Sequence, residues 1–181
     1  MRLFVALDIP ADVRAAIAAV VEKLRPTCEA ARWVRLEGAH VTLKFIGEVP
    51  AEKIQEINTT LATVLFPVAI QIFFRGIGFF PNQRRPTVLW AGVEADPELR
   101  ALAEAVENSL APLGQAREQR AFSPHVTLAR FKSPKNLEGL RAAIAAAGPL
   151  EFGSVVAHEF HLYQSVLKPG GAEYTRLATF K

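Results

Sequence analysis

His40-Val41-Thr42-Leu43 returns as His125-Val126-Thr127-Leu128, 85 residues further along a chain of 181. In an extended strand successive side chains alternate, so His40 and Thr42 share one face while Val41 and Leu43 share the other. His125 and Thr127 stand in the same relation to Val126 and Leu128. Each copy therefore offers an apolar side to a core and an imidazole beside a hydroxyl, about 7 Å apart along the strand. A tetrapeptide repeated at nearly half the chain length points to duplication into two lobes. Were a pseudo-twofold axis to relate the lobes, the two polar faces would meet across a groove.

One His-x-Thr on a strand has a plain structural explanation, a half-buried histidine satisfied by a neighbour and a threonine chosen as a strand former. Two copies with matching apolar alternates point to chemistry. Hydrolysis of a cyclic phosphodiester proceeds roughly in line: a base deprotonates water on one side of phosphorus while an acid protonates the departing oxygen on the other. One imidazole on each flank serves both needs near neutral pH, and threonine hydroxyls can donate to the non-bridging oxygens.

Outward from the motifs, residues 2–8 read as a buried strand. Pro10 then opens an Ala-rich helix to Leu24, with Asp8 or Asp12 near its start. A short strand at 32–34 and a turn at 37–39 lead into His40. A helix over 51–65 has Ile54, Ile57, Leu61 and Leu65 on one face. Residues 68–80 read as a long strand bent at Gly76 and Gly78, followed by a polar loop at 81–86 and a strand at 87–93. A helix over 97–113 faces Leu99, Leu102, Ala103, Val106 and Leu110 inward. After the strand 125–131 come a helix at 136–147 and two strands, 155–167 and 173–181, joined by Lys168-Pro169-Gly170-Gly171. Short loops between strands favour antiparallel pairing. The expected fold is α+β: two pseudo-symmetric lobes with antiparallel sheets, flanked by helices around a central cleft that carries both motifs. Residues 1–181 are expected to form one bilobal domain.

Half the residues are hydrophobic and 22% are charged, which excludes disorder. No stretch reaches 18 uncharged apolar residues, so no membrane span is expected, and Asp8 interrupts the N-terminal apolar run too early for a signal peptide. With Cys28 as the single cysteine, no intramolecular disulfide or thiolate zinc site can form, which fits a reducing, cytoplasmic setting. The net charge of +3 permits an anionic partner without demanding one. The 14 arginines against seven lysines suit bidentate phosphate recognition, although GC-rich coding yields the same bias.

Other motifs carry little. His158-Glu159-Phe160-His161 is one residue short of the zinc-protease spacing, and its histidines would point to opposite faces of a strand. Gly76-Ile77-Gly78 lacks the Gly-Lys-Ser/Thr of a phosphate loop, no lysine-nucleophile motif of nucleotide-charged ligases is present, and Ser123-Pro124-His125 is not a nucleophile elbow. No metal and no cofactor are expected.

The repeat and its surroundings resemble the two-histidine phosphoesterase superfamily, within it the RNA 2′,3′-cyclic phosphodiesterases once named 2′-5′ RNA ligases. The likeness runs through Arg2 to Leu7, Arg32-Trp33-Val34, His40 to Gly47, Arg85 to Val93, Phe122 to Arg130, and Leu162 to Ser165 with Pro169-Gly170-Gly171 and Tyr174. It implies metal- and ATP-independent opening of a terminal 2′,3′-cyclic phosphate to a 2′-phosphate. It further implies His40 as proton donor to the leaving 3′ oxygen, His125 as the base that activates water, and Thr42 and Thr127 on phosphate oxygens. Symmetry of the repeat does not by itself assign acid and base.

Arg130 is expected to bind substrate only if its strand ends or bulges, since simple alternation turns it toward the core. Tyr163 and Ser165 share a face with His161 and are candidates for the cleft edge. Phe45 and Phe131 read as structural rather than base-stacking, and Arg84 and Arg85 as solvated loop residues outside the site. The expected substrates are RNA ends or cyclic nucleotides, handled by a monomer without an obligate protein partner. Joining of RNA ends, action on another small cyclic phosphate, and a non-catalytic nucleotide-binding module are the alternatives.

Overall fold

The computed structural model describes every residue except Val68, Pro134 and Gly170. The expected strand start at Val68 and the Gly170 of the expected turn thus lie outside the described residues. Two antiparallel sheets form the frame. The first has strand order β3-β1-β8-β9, with β1 at Arg2–Asp8, β3 at His40–Glu48, β8 at Phe160–Lys168 and β9 at Gly171–Phe180. The second has order β2-β6-β5-β4-β7, with β2 at Ala31–Trp33, β4 at Ile70–Phe80, β5 at Val88–Ala95, β6 at His125–Phe131 and β7 at Glu151–Ala157.

β1 lies between β3 and β8, and its five residues Leu3 to Leu7 are all buried, as a near-continuous apolar run requires. Four α-helices cover the sheets: α1 at Ala11–Leu24, α2 at Ile54–Leu61, α3 at Pro97–Leu110 and α4 at Glu138–Ala147. Val13, Ile17, Val21 and Leu24 of α1 recur at helical spacing on its buried side, and all five residues expected inward on α3 are buried. Their packing against Leu3, Val5, Leu7, Val41, Leu43, Leu89, Ala91, Val126 and Leu128 makes one continuous hydrophobic core. The polar faces of the motif strands turn away from it.

Two expectations are corrected. α2 ends at Leu61, and a turn brings Val64 rather than Leu65 into the core, leaving Leu65 86% exposed. The single strand expected over 155–167 is two strands in different sheets: β7 pairs with β4, the chain crosses at His158 and Glu159, and β8 pairs with β1. A run of strand-forming residues does not reveal that its two ends have different partners. Near the start of α1, which has no side-chain cap, the Asp8 carboxylate is engaged by β8 and β9.

Gly76, with φ of 72°, sits at the irregularity between Phe74 and Ile77 in the β4–β5 ladder, the expected bend. Gly78 serves another purpose: the Trp90 ring lies on it, and a Cβ there would stand 2.1 Å from the indole.

Candidate active site

Both motif strands carry the same backbone irregularity at the same place. In the β1–β3 ladder Ala6 faces Thr42 and Val5 faces Lys44, leaving Leu43 as an extra residue. In the β5–β6 ladder Trp90 faces Thr127 and Leu89 faces Ala129, leaving Leu128 as the extra residue. Each bulge breaks alternation. Leu43 and Lys44 are buried in succession, as are Leu128 and Ala129. The following residues, Phe45 and Arg130, therefore return to the histidine face, and both are exposed.

This decides two expectations. Arg130 joins the face of His125 and Thr127 because its strand bulges. Phe131 is core at 7% exposure, whereas Phe45 is 60% exposed and not structural packing. Lys44, turned inward, is 5% exposed, donates to Glu107 Oε1 at 2.7 Å and to the Ala116 carbonyl at 2.9 Å, and so ties β3 to the segment that leads to His125.

The two imidazoles are held alike. His40 Nδ1 lies 2.8 Å from the carbonyl of Gly38, and His125 Nδ1 lies 2.8 Å from the carbonyl of Ser123, two residues back in each case. A carbonyl only accepts, so each Nδ1 carries a proton and donates it, leaving Nε2 as the nitrogen that titrates. Aromatic rings back each imidazole. Phe4 stacks on His40 at 4.4 Å and Tyr174 meets it edge-on at 5.1 Å, while Phe80 meets His125 edge-on at 4.9 Å. Tyr174 lies over Gly38, where a Cβ would fall 2.4 Å from the ring.

Burial lowers the pKa of both histidines from the ordinary 6.5. Their flanking charges differ. At His40 the Gly38 carbonyl and the Asp8 carboxylate push back upward, and His125 pushes down, so the two imidazoles sense each other. At His125 the Ser123 carbonyl pushes upward and Arg130 pushes down. β3 and β6 lie next to each other, which brings the motifs of the two sheets together. Thr42 and Thr127 lie two residues beyond each histidine, half-buried, and among the described residues neither hydroxyl has a hydrogen-bond partner.

Behind His40 lies a cavity of about 320 Å³ walled by Asp8, Gly38, His40, Tyr163, Tyr174 and Arg176 among others. Tyr163 donates its hydroxyl to Asp8 Oδ1, Arg176 Nη2 donates to Asp8 Oδ2, and Arg176 Nε donates to the Tyr163 oxygen at 3.3 Å. The Tyr163 ring also stacks on Phe4 at 5.3 Å. Burial and Asp8 together push the Tyr163 phenol up to about 12, so it stays a proton-bearing donor.

His161 is buried behind this group, its Nδ1 3.0 Å from Thr179 Oγ1 and its Nε2 3.6 Å from Asp8 Oδ2. Tyr163 thus reaches the first histidine's surroundings as expected. Ser165 faces Arg2 and Tyr174 in the ladders and does not line the cavity. Sequence reading places none of Asp8, Arg176 and Gly38 in the site, and reads Phe45 as structural. Asp8, a charged residue closing the apolar run Leu3 to Leu7, is the one whose local context offers a signal.

Two antiparallel sheets that bring paired His-x-Thr strands together have the architecture of a two-histidine phosphoesterase. The chain belongs to the 2′-5′ RNA ligase superfamily, whose family model matches residues 9–168. It is 36% identical to a protein of Archaeoglobus fulgidus named RNA 2′,3′-cyclic phosphodiesterase, over the whole of both chains. A protein of the same name from Aeropyrum pernix is 40% identical over 146 residues, 80% of this chain and 82% of that one.

Among solved structures, one from Thermus thermophilus matches with a TM-score of 0.82 and 33% identity, covering 99% of this chain and 97% of that one. Escherichia coli LigT complexed with 3′-AMP matches with a TM-score of 0.81 and 30% identity, covering 98% and 95%.

Proposed function

We propose that this protein is an RNA 2′,3′-cyclic phosphodiesterase that opens a terminal 2′,3′-cyclic phosphate to a 2′-phosphomonoester and a free 3′ hydroxyl. The observation that carries this reading is the matched pair of imidazoles, each fixed through Nδ1 with Nε2 left to exchange protons, flanked by opposite charges. His125, beside the Arg130 cation, is held toward its neutral form and takes a proton from water. At His40, where burial lowers the pKa, the Asp8 carboxylate works against that lowering and supports the proton the ring supplies.

Water oxygen bonds to phosphorus as the bond from phosphorus to the 3′ oxygen breaks. His125 Nε2 accepts the water proton and His40 Nε2 delivers its proton to the departing 3′ oxygen. Exchange with solvent restores both rings. Thr42, Thr127 and Arg130 donate to the non-bridging oxygens, whose charge grows in the transition state. Tyr163 and Arg176 act through Asp8, keeping its carboxylate beside His40. Phe45, on the groove face of the opposite motif strand from Arg130, offers a surface on which the terminal base stacks. No role follows for Ser165. In this reading the protein works as a monomer in the cytoplasm; among the described residues no helix is long and apolar enough to cross a membrane.

The test is product analysis after incubation of 2′,3′-cyclic CMP, and of an oligoribonucleotide ending in a cyclic phosphate, with excess EDTA. The expected product is the 2′-phosphomonoester in both cases. A 3′-phosphate would place the acid on the wrong oxygen. Binding without turnover would leave a nucleotide-binding module, and joined 2′-5′ products would make ligation the reaction.

A further inference from the structure

Arg32 of β2 is the direct cross-strand partner of Arg130. Residues directly opposite in an antiparallel pair share a face, with Cα atoms about 4.5–5.5 Å apart. The burial pattern agrees: Ala31 is buried opposite buried Phe131, and Arg32 is exposed opposite exposed Arg130. Since the bulge at Leu128 places Arg130 on the histidine face, Arg32 lies on that face too, on the edge strand flanking the groove.

Like charges placed directly opposite each other destabilise a sheet. The usual remedy is a neighbouring carboxylate, as Glu94 serves Arg75 at 3.0 Å and Asp8 serves Arg176 elsewhere in these sheets. Among the described residues neither the Arg32 nor the Arg130 side chain has an ion pair or a hydrogen bond. Two adjacent guanidiniums without a protein anion, one of them beside His125, make a place for two phosphates rather than one.

We propose that Arg32 binds the 5′-phosphate of the terminal nucleoside while Arg130 holds the cyclic phosphate, so that the enzyme favours the end of an RNA strand over a bare cyclic mononucleotide. This rests on the phosphodiesterase reading above. The two phosphates belong to one nucleoside, attached at opposite ends of its ribose, which suits two guanidiniums on neighbouring strands. Arginine fits the role because its planar fork meets phosphate oxygens in pairs.

The experiment compares 2′,3′-cyclic CMP with the same nucleotide bearing a 5′-phosphate, and with a dinucleotide ending in a cyclic phosphate. Parent, Arg32→Ala, Arg32→Lys and the charge control Arg100→Ala on the exposed side of α3 are each assayed for kcat/KM across salt concentrations. In the parent, the 5′-phosphate is expected to raise kcat/KM about tenfold, the order of one hydrogen-bonded phosphate contact. Arg32→Ala should erase most of that gain while altering cyclic CMP turnover far less, and Arg32→Lys should keep part of it. The slope of log kcat/KM against log salt for the dinucleotide should become shallower by about 0.7, the share of one single-strand phosphate contact. Arg100→Ala should retain the gain.

Equal efficiency on all three substrates in the parent would overturn the Arg32 subsite and leave the phosphodiesterase reading standing. Equal losses on cyclic CMP and the dinucleotide in Arg32→Ala would likewise overturn it, placing Arg32 on the reacting phosphate. Absence of turnover on every substrate would remove the phosphodiesterase reading itself.

Discussion

The His40 half and the His125 half share a backbone and differ in charge. Each has a histidine at the start of its strand, tied through Nδ1 to the carbonyl two residues back, with an aromatic ring against the imidazole. Each has a bulge after the threonine that turns the sixth side chain of the strand back to the groove. On this common frame the first half places Asp8, Tyr163 and Arg176 around His40 and Phe45 at the sixth position. The second places Arg130 there, with Arg32 at its side.

The shared frame explains why two imidazoles come to equivalent positions. The unshared charges are what the proposed division of labour rests on: an anion beside one imidazole supports its proton, a cation beside the other disfavours it. What the repeat alone leaves symmetric, Asp8 and Arg130 outside it make asymmetric.

The largest expected effect tests the shared part. His40→Ala and His125→Ala should each lower kcat by about 10²- to 10⁴-fold on 2′,3′-cyclic CMP, the usual weight of a lost general acid or base. The double variant should fall little below either single one, because both act in one step. Circular dichroism should show the fold unchanged, since both rings are on the groove face and not in the core. An activity within a few-fold of the parent in either single variant would break the division of roles.

Exchanging weight at the sixth positions sharpens the comparison. Arg130→Ala should cost about 10²-fold, chiefly in kcat, as befits a donor to charge that grows in the transition state. Phe45→Ala should raise KM about tenfold with kcat near the parent's, the signature of lost base stacking. A kcat effect at Phe45 larger than at Arg130 would mean the halves are assigned the wrong way round.

Much of this was legible in the sequence because it is local. The apolar run of β1, the inward stripe of α3 and the alternation within each His-x-Thr follow from neighbours a few residues apart. Arg130 shows where that stops. Whether it faces core or groove depends on a bulge defined by pairing with β5, and no property of residues 125–131 announces the slip of register. Simple alternation reads Phe45 as structural for the same reason: the bulge at Leu43 is set by pairing with β1.

The network around His40 is more distant still. Asp8 meets Tyr163 and Arg176 across gaps of 155 and 168 residues, through β8 and β9, and the boundary between β7 and β8 lies within one run of strand-forming residues. The Nδ1 anchors at Gly38 and Ser123 needed the turns before each motif, which differ in sequence while giving the same contact.

The smallest expected effect addresses the charge asymmetry directly. A base must be neutral, so kcat/KM rises with pH through its pKa; an acid must be protonated, so kcat/KM falls with pH through its own. The two imidazoles sense each other, and the apparent values therefore belong to the pair. With both histidines lowered from 6.5, the optimum should lie on the acid side of neutrality in the free enzyme. Asp8→Asn removes the anion that supports the His40 proton and frees the Arg176 cation nearby, and both changes lower His40 further. The alkaline limb should therefore move down by a fraction of a pH unit while the acid limb, set mainly at His125, stays in place.

Arg130→Gln should do the reverse, raising His125 and moving the acid limb up. Both variants narrow the bell, from opposite sides. If Asp8→Asn moved the acid limb instead, the carboxylate would be supporting the base, and His40 and His125 would have to exchange roles despite their flanking charges.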